Sequence, residues 1–392
     1  MESDMQMVAF NKDAGESGRD GLFSLEQARE VCRFHKSLKG YEPTPLRHLG
    51  SLGAALGISE LYVKDESFRF GLNAFKGLGG SYALGRVISQ KTGRGMEAVP
   101  DVLPGTFTFV TATDGNHGRG VAWAAKNLSQ KAVVYMPKGS AKERLENICS
   151  LGAKAEITEF NYDDTVRFAM EQAKKNDWTL VQDTAWEGYE ETPSYIMQGY
   201  MTMALEAAEQ LGDVLPTHVF IQAGVGAMAG AVTAFFYNDY KEKMPAIVIV
   251  EPNKADCLFR TARANDGKLH MAEGDMDSIM AGLCCGEVCT IGWEILKHHA
   301  DYFFSCSDYV AADGMRVLGN PIGEDKRVIS GESGASAFGL VYHLMTDPEK
   351  EEFRRKIGLG ADSRVLCFNT EGDTDRVNYR HVVWDGWYTK SN

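Results

Sequence analysis

No stretch of these 392 residues reaches the ~18 uninterrupted apolar positions a membrane-crossing helix needs, so a spanning protein is not expected. The opening segment, Met1 to Asp20, is polar and acidic and lacks the apolar core of a secretory leader. A cytoplasmic location is therefore expected. Basic charge is in short supply: 41 Lys and Arg stand against 54 Asp and Glu, a net charge of −13. That balance argues against nucleic acid or an anionic lipid surface as a partner. It mildly favours a cationic or zwitterionic small molecule, although solubility alone is the simpler account. Cysteine is sparse, with eight residues in mostly apolar contexts. Cys284, Cys285 and Cys289 cluster, but they lack CxxC spacing and a matching histidine pair, so no metal site is expected. Buried thiols are the better reading, with a pairing to Cys257 left open. Internal repeats and low-complexity tracts are also missing.

What is present is an ordinary globular composition, 44% hydrophobic and 24% charged, on a chain long enough for two domains. Residues 1–40 read as a polar arm and then a helix around Leu25 to Lys36. Pro43 and Pro45 make 41–46 a stiff extended element, because each holds the residue before it out of the helical region. Short β-branched and aromatic runs read as strands: Leu61–Lys64, Phe107–Ala112, Ala132–Met136, Ala155–Ile157, Trp178–Asp183, Val219–Ile221, Ile247–Val250 and Arg364–Phe368. Helical stretches lie between most of them: about Gly79 to Gln90, Gly120 to Asn127, Ala141 to Leu151, Asp163 to Asn176, and a long one opened by Thr192-Pro193. Strands alternating with helices imply parallel, helix-covered sheets. Two such sets, divided near residue 190, suggest two domains with a cleft between them.

The chain is organised around Gly71 to Gly80, where Lys76 sits among four glycines and several apolar residues. Glycine lets backbone approach a ligand closely. An amine in apolar surroundings is partly desolvated and becomes a nucleophile, suited to a Schiff base with a carbonyl cofactor. A helix-start lysine reaching into water is the plainer alternative. Gly224 to Gly230 is a glycine-rich turn between a strand and a helix, an anion site that suits a phosphate. It also carries the dinucleotide spacing Gly224-x-Gly226-x-x-Ala229, with Glu251 ending the next strand where a ribose-binding acid would sit. An NAD-dependent dehydrogenase is thus a live rival, as is a merely structural turn. Thr113-Asp114-Gly115-Asn116-His117-Gly118 and the turn holding Thr370 close two further strands, and ligands bind at such carboxyl ends. Asp183 also ends a strand. Asp114 and Asp183 could equally be turn or cap residues, and His117 a packing residue.

Taken together, these stretches resemble the fold type II family of pyridoxal phosphate enzymes, which includes threonine dehydratase, serine racemase and tryptophan synthase β. The resemblance runs over nearly the whole chain, through Pro43-Thr44-Pro45-Leu46, the lysine stretch, Gly115-Asn116-His117-Gly118, Gly152-Ala153, the 224–230 loop and Val250-Glu251-Pro252. Asn73-Ala74-Phe75-Lys76-Gly77, Asp114 where many members have Ser, Gln182-Asp183-Thr184-Ala185-Trp186 and Asn369-Thr370-Glu371-Gly372 resemble more narrowly the family's ammonia-lyases of diamino acids. The family implies an α/β fold of two open, mostly parallel sheets covered by helices, with the active site in the interdomain cleft. Residues 1–84 and 191–392 would form a large cofactor-binding domain, and 85–190 a small substrate-loop domain. Lys76 would hold pyridoxal 5'-phosphate as a Schiff base. Asn116 would bond its phenolic oxygen; Gly224, Val225, Gly226, Ala227 and Met228 would bind its phosphate; Thr370, with Asn369 as the neighbouring candidate, would face its ring nitrogen. The loop departs from the usual run of four or more glycines. Thr113, Asp114, Gly115, His117 and Asp183 would meet an amino-acid substrate. A carboxylate offers a β-ammonium a charge-assisted bond and, if raised by burial, can take an α-proton. Asp114 and Asp183 are expected to act on the D and L isomers respectively. A serine or threonine dehydratase is the rival within the family, and a non-catalytic cofactor binder a third reading. A homodimer is the family's expectation.

Overall fold

The computed structural model describes residues 4–113 and 115–390, the side chain of Asp163 excepted. Eleven strands follow along the described residues: β1 (Met5–Ala9), β2 (Leu46–His48), β3 (Glu60–Asp65), β4 (Thr108–Ala112), β5 (Lys131–Met136), β6 (Lys154–Ile157), β7 (Thr179–Leu180), β8 (His218–Gln222), β9 (Ala246–Pro252), β10 (Tyr302–Cys306) and β11 (Arg364–Asn369). The chain divides into two compact units. One is Met1–Leu25, Pro43–Phe68 and Met203–Asn392; the other is Glu26–Glu42 and Arg69–Thr202.

The first unit holds a seven-stranded sheet in the order β1-β10-β9-β8-β11-β3-β2. Its five inner strands are parallel, and the two edge strands are antiparallel to their neighbours. The inner strands read as unbroken apolar runs because helices cover them. Phe220, Val248, Val250, Val365 and Cys367 pack in one core with Ala337, Phe338, Leu340, Val341 and Leu344 of the helix Glu332–Thr346. The expected polar arm contains a strand: Met5–Ala9 pairs with Tyr302–Cys306, Met5 opposite Cys306. Its partner lies almost 300 positions away, so no local pattern announces it. The proline-stiffened element likewise leads into β2, with Leu46 opposite Lys64. Lys64 is fully buried. Its ammonium donates to the Thr44 carbonyl and to Glu206 Oε2, both at 2.7 Å, and to Gln210 Oε1 at 2.9 Å. A buried charge is tolerable only when met in this way.

The second unit holds a four-stranded parallel sheet in the order β6-β5-β4-β7. Val110, Ala112, Val133 and Tyr135 pack with Ala169 and Ala173 of the helix Tyr162–Asn176. The expected strand over Trp178–Asp183 shortens to Thr179–Leu180. Val181 N still bonds the Val110 carbonyl at 2.8 Å, but Gln182 N turns to the Tyr189 hydroxyl at 2.9 Å, which ends the ladder. Two helices start earlier than composition suggests, at Lys76 (Lys76–Thr92) and Asn116 (Asn116–Asn127). They lie against each other through glycine: a Cβ on Gly120 would stand 2.7 Å from the Lys76 carbonyl oxygen. A Cβ on Gly199, in the helix Glu191–Leu211, would stand 2.5 Å from the Leu78 carbonyl oxygen. Only a residue without a side chain permits such approach. Among the described residues no helix is long and apolar enough to cross a membrane.

Candidate active site

In the second unit the chain turns sharply before the lysine, with Phe70, Gly71 and Asn73 at φ of 54°, 69° and 56°. It then enters the helix at Lys76. The amine, expected in purely apolar surroundings, meets a carboxylate as well: Lys76 Nζ donates to Asp183 Oδ2 at 2.7 Å. It also lies 5.3 Å from the Phe75 ring centroid and 5.9 Å from that of Tyr200. Both partners of the ion pair keep some exposure, 21% for the lysine side chain and 16% for the aspartate. So the amine is sheltered by aromatic faces yet open on one side.

Asp183 is braced from its neighbour. The Gln182 amide oxygen accepts from Thr111 Oγ1 at 3.0 Å and Ala112 N at 3.2 Å, while its nitrogen donates to the Ala112 carbonyl at 3.0 Å. This clips the segment to the end of β4, from which Thr113, Gly115, Asn116 and His117 follow. Thr113 is buried and its hydroxyl accepts from Gly115 N at 3.2 Å. Asn116, half-buried, opens its helix. Asp114 lies outside the described residues. His117 is buried, and its Nε2 donates to the Val181 carbonyl at 2.9 Å. A carbonyl only accepts, so the proton sits on Nε2. Nδ1 is then left 3.6 Å from Asp183 Oδ2, with no hydrogen-bond partner among the described residues. Burial pulls the His117 pKa below its ordinary value, helped by the nearby Lys76 charge and opposed by Asp183. Burial works the opposite way on Asp183, but His117 and Lys76 outweigh it and hold the carboxyl below the usual range. The unit therefore presents an ionised carboxylate paired with the Lys76 amine, with the buried His117 ring beside it.

The other predicted groups stand in the first unit. β8 ends at Gln222, and Gly224 and Val225 lead to Gly226, whose φ of 94° starts the helix Ala227–Tyr240 with no side chain capping it. A Cβ on Gly224 would lie 3.2 Å from Leu283 Cα. The loop is thus a backbone cradle at a helix N-terminus, with its first amides uncapped by side chains. Met228 is buried one residue into that helix. Thr370, just past β11, is buried and its hydroxyl accepts from Gln222 Nε2 at 2.8 Å. Its neighbour Asn369 is committed elsewhere. The Asn369 amide nitrogen donates to Asp65 Oδ1 at 2.8 Å and the Ile329 carbonyl at 3.1 Å, and its oxygen accepts from Ser330 at 2.7 Å. Glu251 is not a ribose-binding acid. It is fully buried, and its carboxylate accepts from Leu258 N at 2.9 Å and Phe259 N at 2.6 Å, closing the start of the helix Cys257–Ala264. Cys257 and Cys289 are buried and Cys284 and Cys285 half-buried, with no disulfide joining them.

These residues fit pyridoxal phosphate. The second unit carries a primary amine, the group an aldehyde needs; the first carries a glycine cradle at a helix N-terminus, suited to a phosphate, and a buried hydroxyl at Thr370. Two contributors escape sequence reasoning, Gln182 as a brace and Gln222 as the partner of Thr370. The signal available for Gln222 was a polar residue closing an apolar strand just before a glycine loop.

Comparison with known proteins agrees with this geometry. The family of pyridoxal-phosphate dependent enzymes matches residues 38–370. The diaminopropionate ammonia-lyase of Escherichia coli K12 is 50% identical, over 93% of this chain and 93% of its own. Its counterpart from Salmonella typhimurium is 47% identical, over 97% of this chain and 98% of its own. The crystal structure of the Escherichia coli enzyme in complex with an aminoacrylate-PLP azomethine reaction intermediate superposes with a TM-score of 0.91 at 48% identity, covering 98% of each chain. A threonine deaminase from Solanum lycopersicum shares the fold, with a TM-score of 0.72 at 18% identity and 96% of each chain covered.

Proposed function

Because the chain belongs to the family of pyridoxal-phosphate dependent enzymes, we propose that it is a lyase acting on 2,3-diaminopropionate, releasing pyruvate and two ammonia from either isomer. The observation that carries this reading is the Lys76–Asp183 pair at 2.7 Å, in a chain half-identical to a diaminopropionate ammonia-lyase. When bound, the cofactor supplies an electron sink that acidifies the α-hydrogen of an attached amino acid. Lys76 Nζ would hold it, the backbone of residues 224–228 would take its phosphate, Asn116 its phenolic oxygen and Thr370 its ring nitrogen.

Holding the cofactor would take the Lys76 amine out of its ion pair with Asp183, and substrate binding would free the amine again. Asp183, released from the Lys76 charge that helps hold its carboxyl below the usual range in the free protein, then accepts the α-proton of the L isomer at Oδ2. Asp114 does the same for the D isomer and otherwise pairs with the β-ammonium. The electron pair left at the α-carbon expels the β-nitrogen as ammonia. The released enamine hydrolyses in water to pyruvate and a second ammonia. His117 stands beside Asp183 and faces the substrate with it, and Thr113 and Gly115 shape the loop that receives the substrate carboxylate. The same reading takes the enzyme as a cytoplasmic homodimer whose only other partner is a small amino acid.

The test is stoichiometry on purified holoenzyme. D- and L-diaminopropionate should each yield two ammonia per pyruvate, with a visible absorption band that Lys76→Ala abolishes. One ammonia per pyruvate from serine, without turnover of diaminopropionate, would move the chain to the dehydratases.

A further inference from the structure

A threonine hydroxyl has one proton to give and two lone pairs to receive, and its neighbours decide which face it shows. At Thr370 the decision falls to Gln222. That residue closes β8, is fully buried, and has its Nε2 2.9 Å from the Phe368 carbonyl oxygen and 2.8 Å from Thr370 Oγ1. The carbonyl can only accept, so the NH2 end of the amide must face it. The reversed amide would set two acceptors against each other. One N–H is therefore spent on Phe368 and the other is aimed at Thr370. The Thr370 oxygen accepts, and its own proton is left for a third group.

The orientation has a cost that points to a use. Gln222 Oε1 is buried with no hydrogen-bond partner among the described residues. An unmet buried acceptor destabilises a fold, and a methionine of similar length would avoid it only by giving up the bonds to Phe368 and Thr370. A fully buried Gln at the end of an apolar strand is thus poorly explained by packing alone.

We infer that Gln222 is a positioning residue that makes Thr370 a hydrogen-bond donor, so that a pyridine-type ring nitrogen facing it is met by a proton it does not have to take. This rests on the reading above in which Thr370 faces the cofactor's ring nitrogen. A ring nitrogen kept unprotonated is a weaker electron sink. Elimination tolerates that, since the electron pair passes on to the departing β-nitrogen. Reactions that must store the pair on the ring are disfavoured.

The experiment is 15N magnetic resonance of holoenzyme loaded with cofactor labelled at the ring nitrogen, in the wild type, Gln222→Met, Gln222→Glu and Thr370→Val. The wild type should show the unprotonated resonance. Gln222→Met removes the donor, and Gln222→Glu offers Thr370 an acceptor, so each should shift the resonance toward the protonated position. Circular dichroism identifies a variant that has not folded, and the second Gln222 variant then carries the measurement. If Thr370→Val moves the resonance and neither folded Gln222 variant does, the role of Gln222 is overturned while Thr370 keeps its place. If Thr370→Val leaves it unmoved, the placement of Thr370 falls, and this inference with it.

Discussion

Replacing Gly120 by alanine sets two known effects against each other. A Cβ there would stand 2.7 Å from the Lys76 carbonyl oxygen, 2.8 Å from its carbonyl carbon and 3.0 Å from Gly77 N. These are backbone atoms at the first turn of a helix, so no rotamer change relieves them. Ordinary contact begins at 3.4 Å, and the two helices must therefore part by roughly 0.7 Å. Helix propensity acts in the other direction, since alanine for glycine inside a helix gains about 0.5–1 kcal/mol. Overpacking of a rigid contact costs about 1–3 kcal/mol, so the net loss reaches about 2.5 kcal/mol. The displaced backbone is that of the residue carrying the amine. A misplacement near 1 Å costs about 100-fold in rate, so a loss of about tenfold or more is expected here. Gly53→Ala provides the contrast: its Cβ would meet Leu61 Cβ at an ordinary 3.4 Å within the helix Gly50–Leu56. That variant should gain about 0.5 kcal/mol and keep full activity. Urea unfolding and pyruvate release measure both effects. A Gly120→Ala protein as stable and as active as Gly53→Ala would refute the claim that glycine contact sets the position of Lys76.

Two further outcomes can be measured independently. Asp114→Asn should lose D-diaminopropionate turnover by about 100-fold or more, and Asp183→Asn that of the L isomer, while each largely keeps the other isomer. Equal loss on both isomers would end the stereochemical assignment. Glu206→Gln removes a buried counter-charge 2.7 Å from the Lys64 ammonium and should cost about 3–5 kcal/mol in urea unfolding. Lys64→Met in the same chain should recover most of that loss, and a double-mutant cycle showing simple additivity would mean the pair is not coupled.

The inner strands were legible because a strand covered on both faces must be apolar throughout, as at Ile247–Val250. Lys76, Asn116, Asp183 and the Gly224–Met228 loop stand out in the sequence as reactive or conformationally special residues, and the structure sets Lys76 against Asp183 and the loop at a helix start. What escaped shares one property: its meaning lies in a distant partner. Met5–Ala9 reads as polar arm until Tyr302–Cys306 pairs with it. Glu251 suggests a ribose ligand until its carboxylate is found on Leu258 N and Phe259 N. Gln222 and Thr370 are 148 positions apart in the chain, and neither suggests the other. Trp178–Asp183 matched strand composition, yet the Tyr189 hydroxyl took the backbone group that the ladder needed.

The outermost strand has a practical consequence. Met5 is fully buried at the rim of the larger sheet, where β1 covers the hydrogen-bonding edge of β10. A truncation that begins after Ala9, or a bulky fusion that pulls these residues away, would uncover that edge. Bare edges recruit strands from other molecules, so such a preparation would be prone to aggregate for reasons unrelated to catalysis.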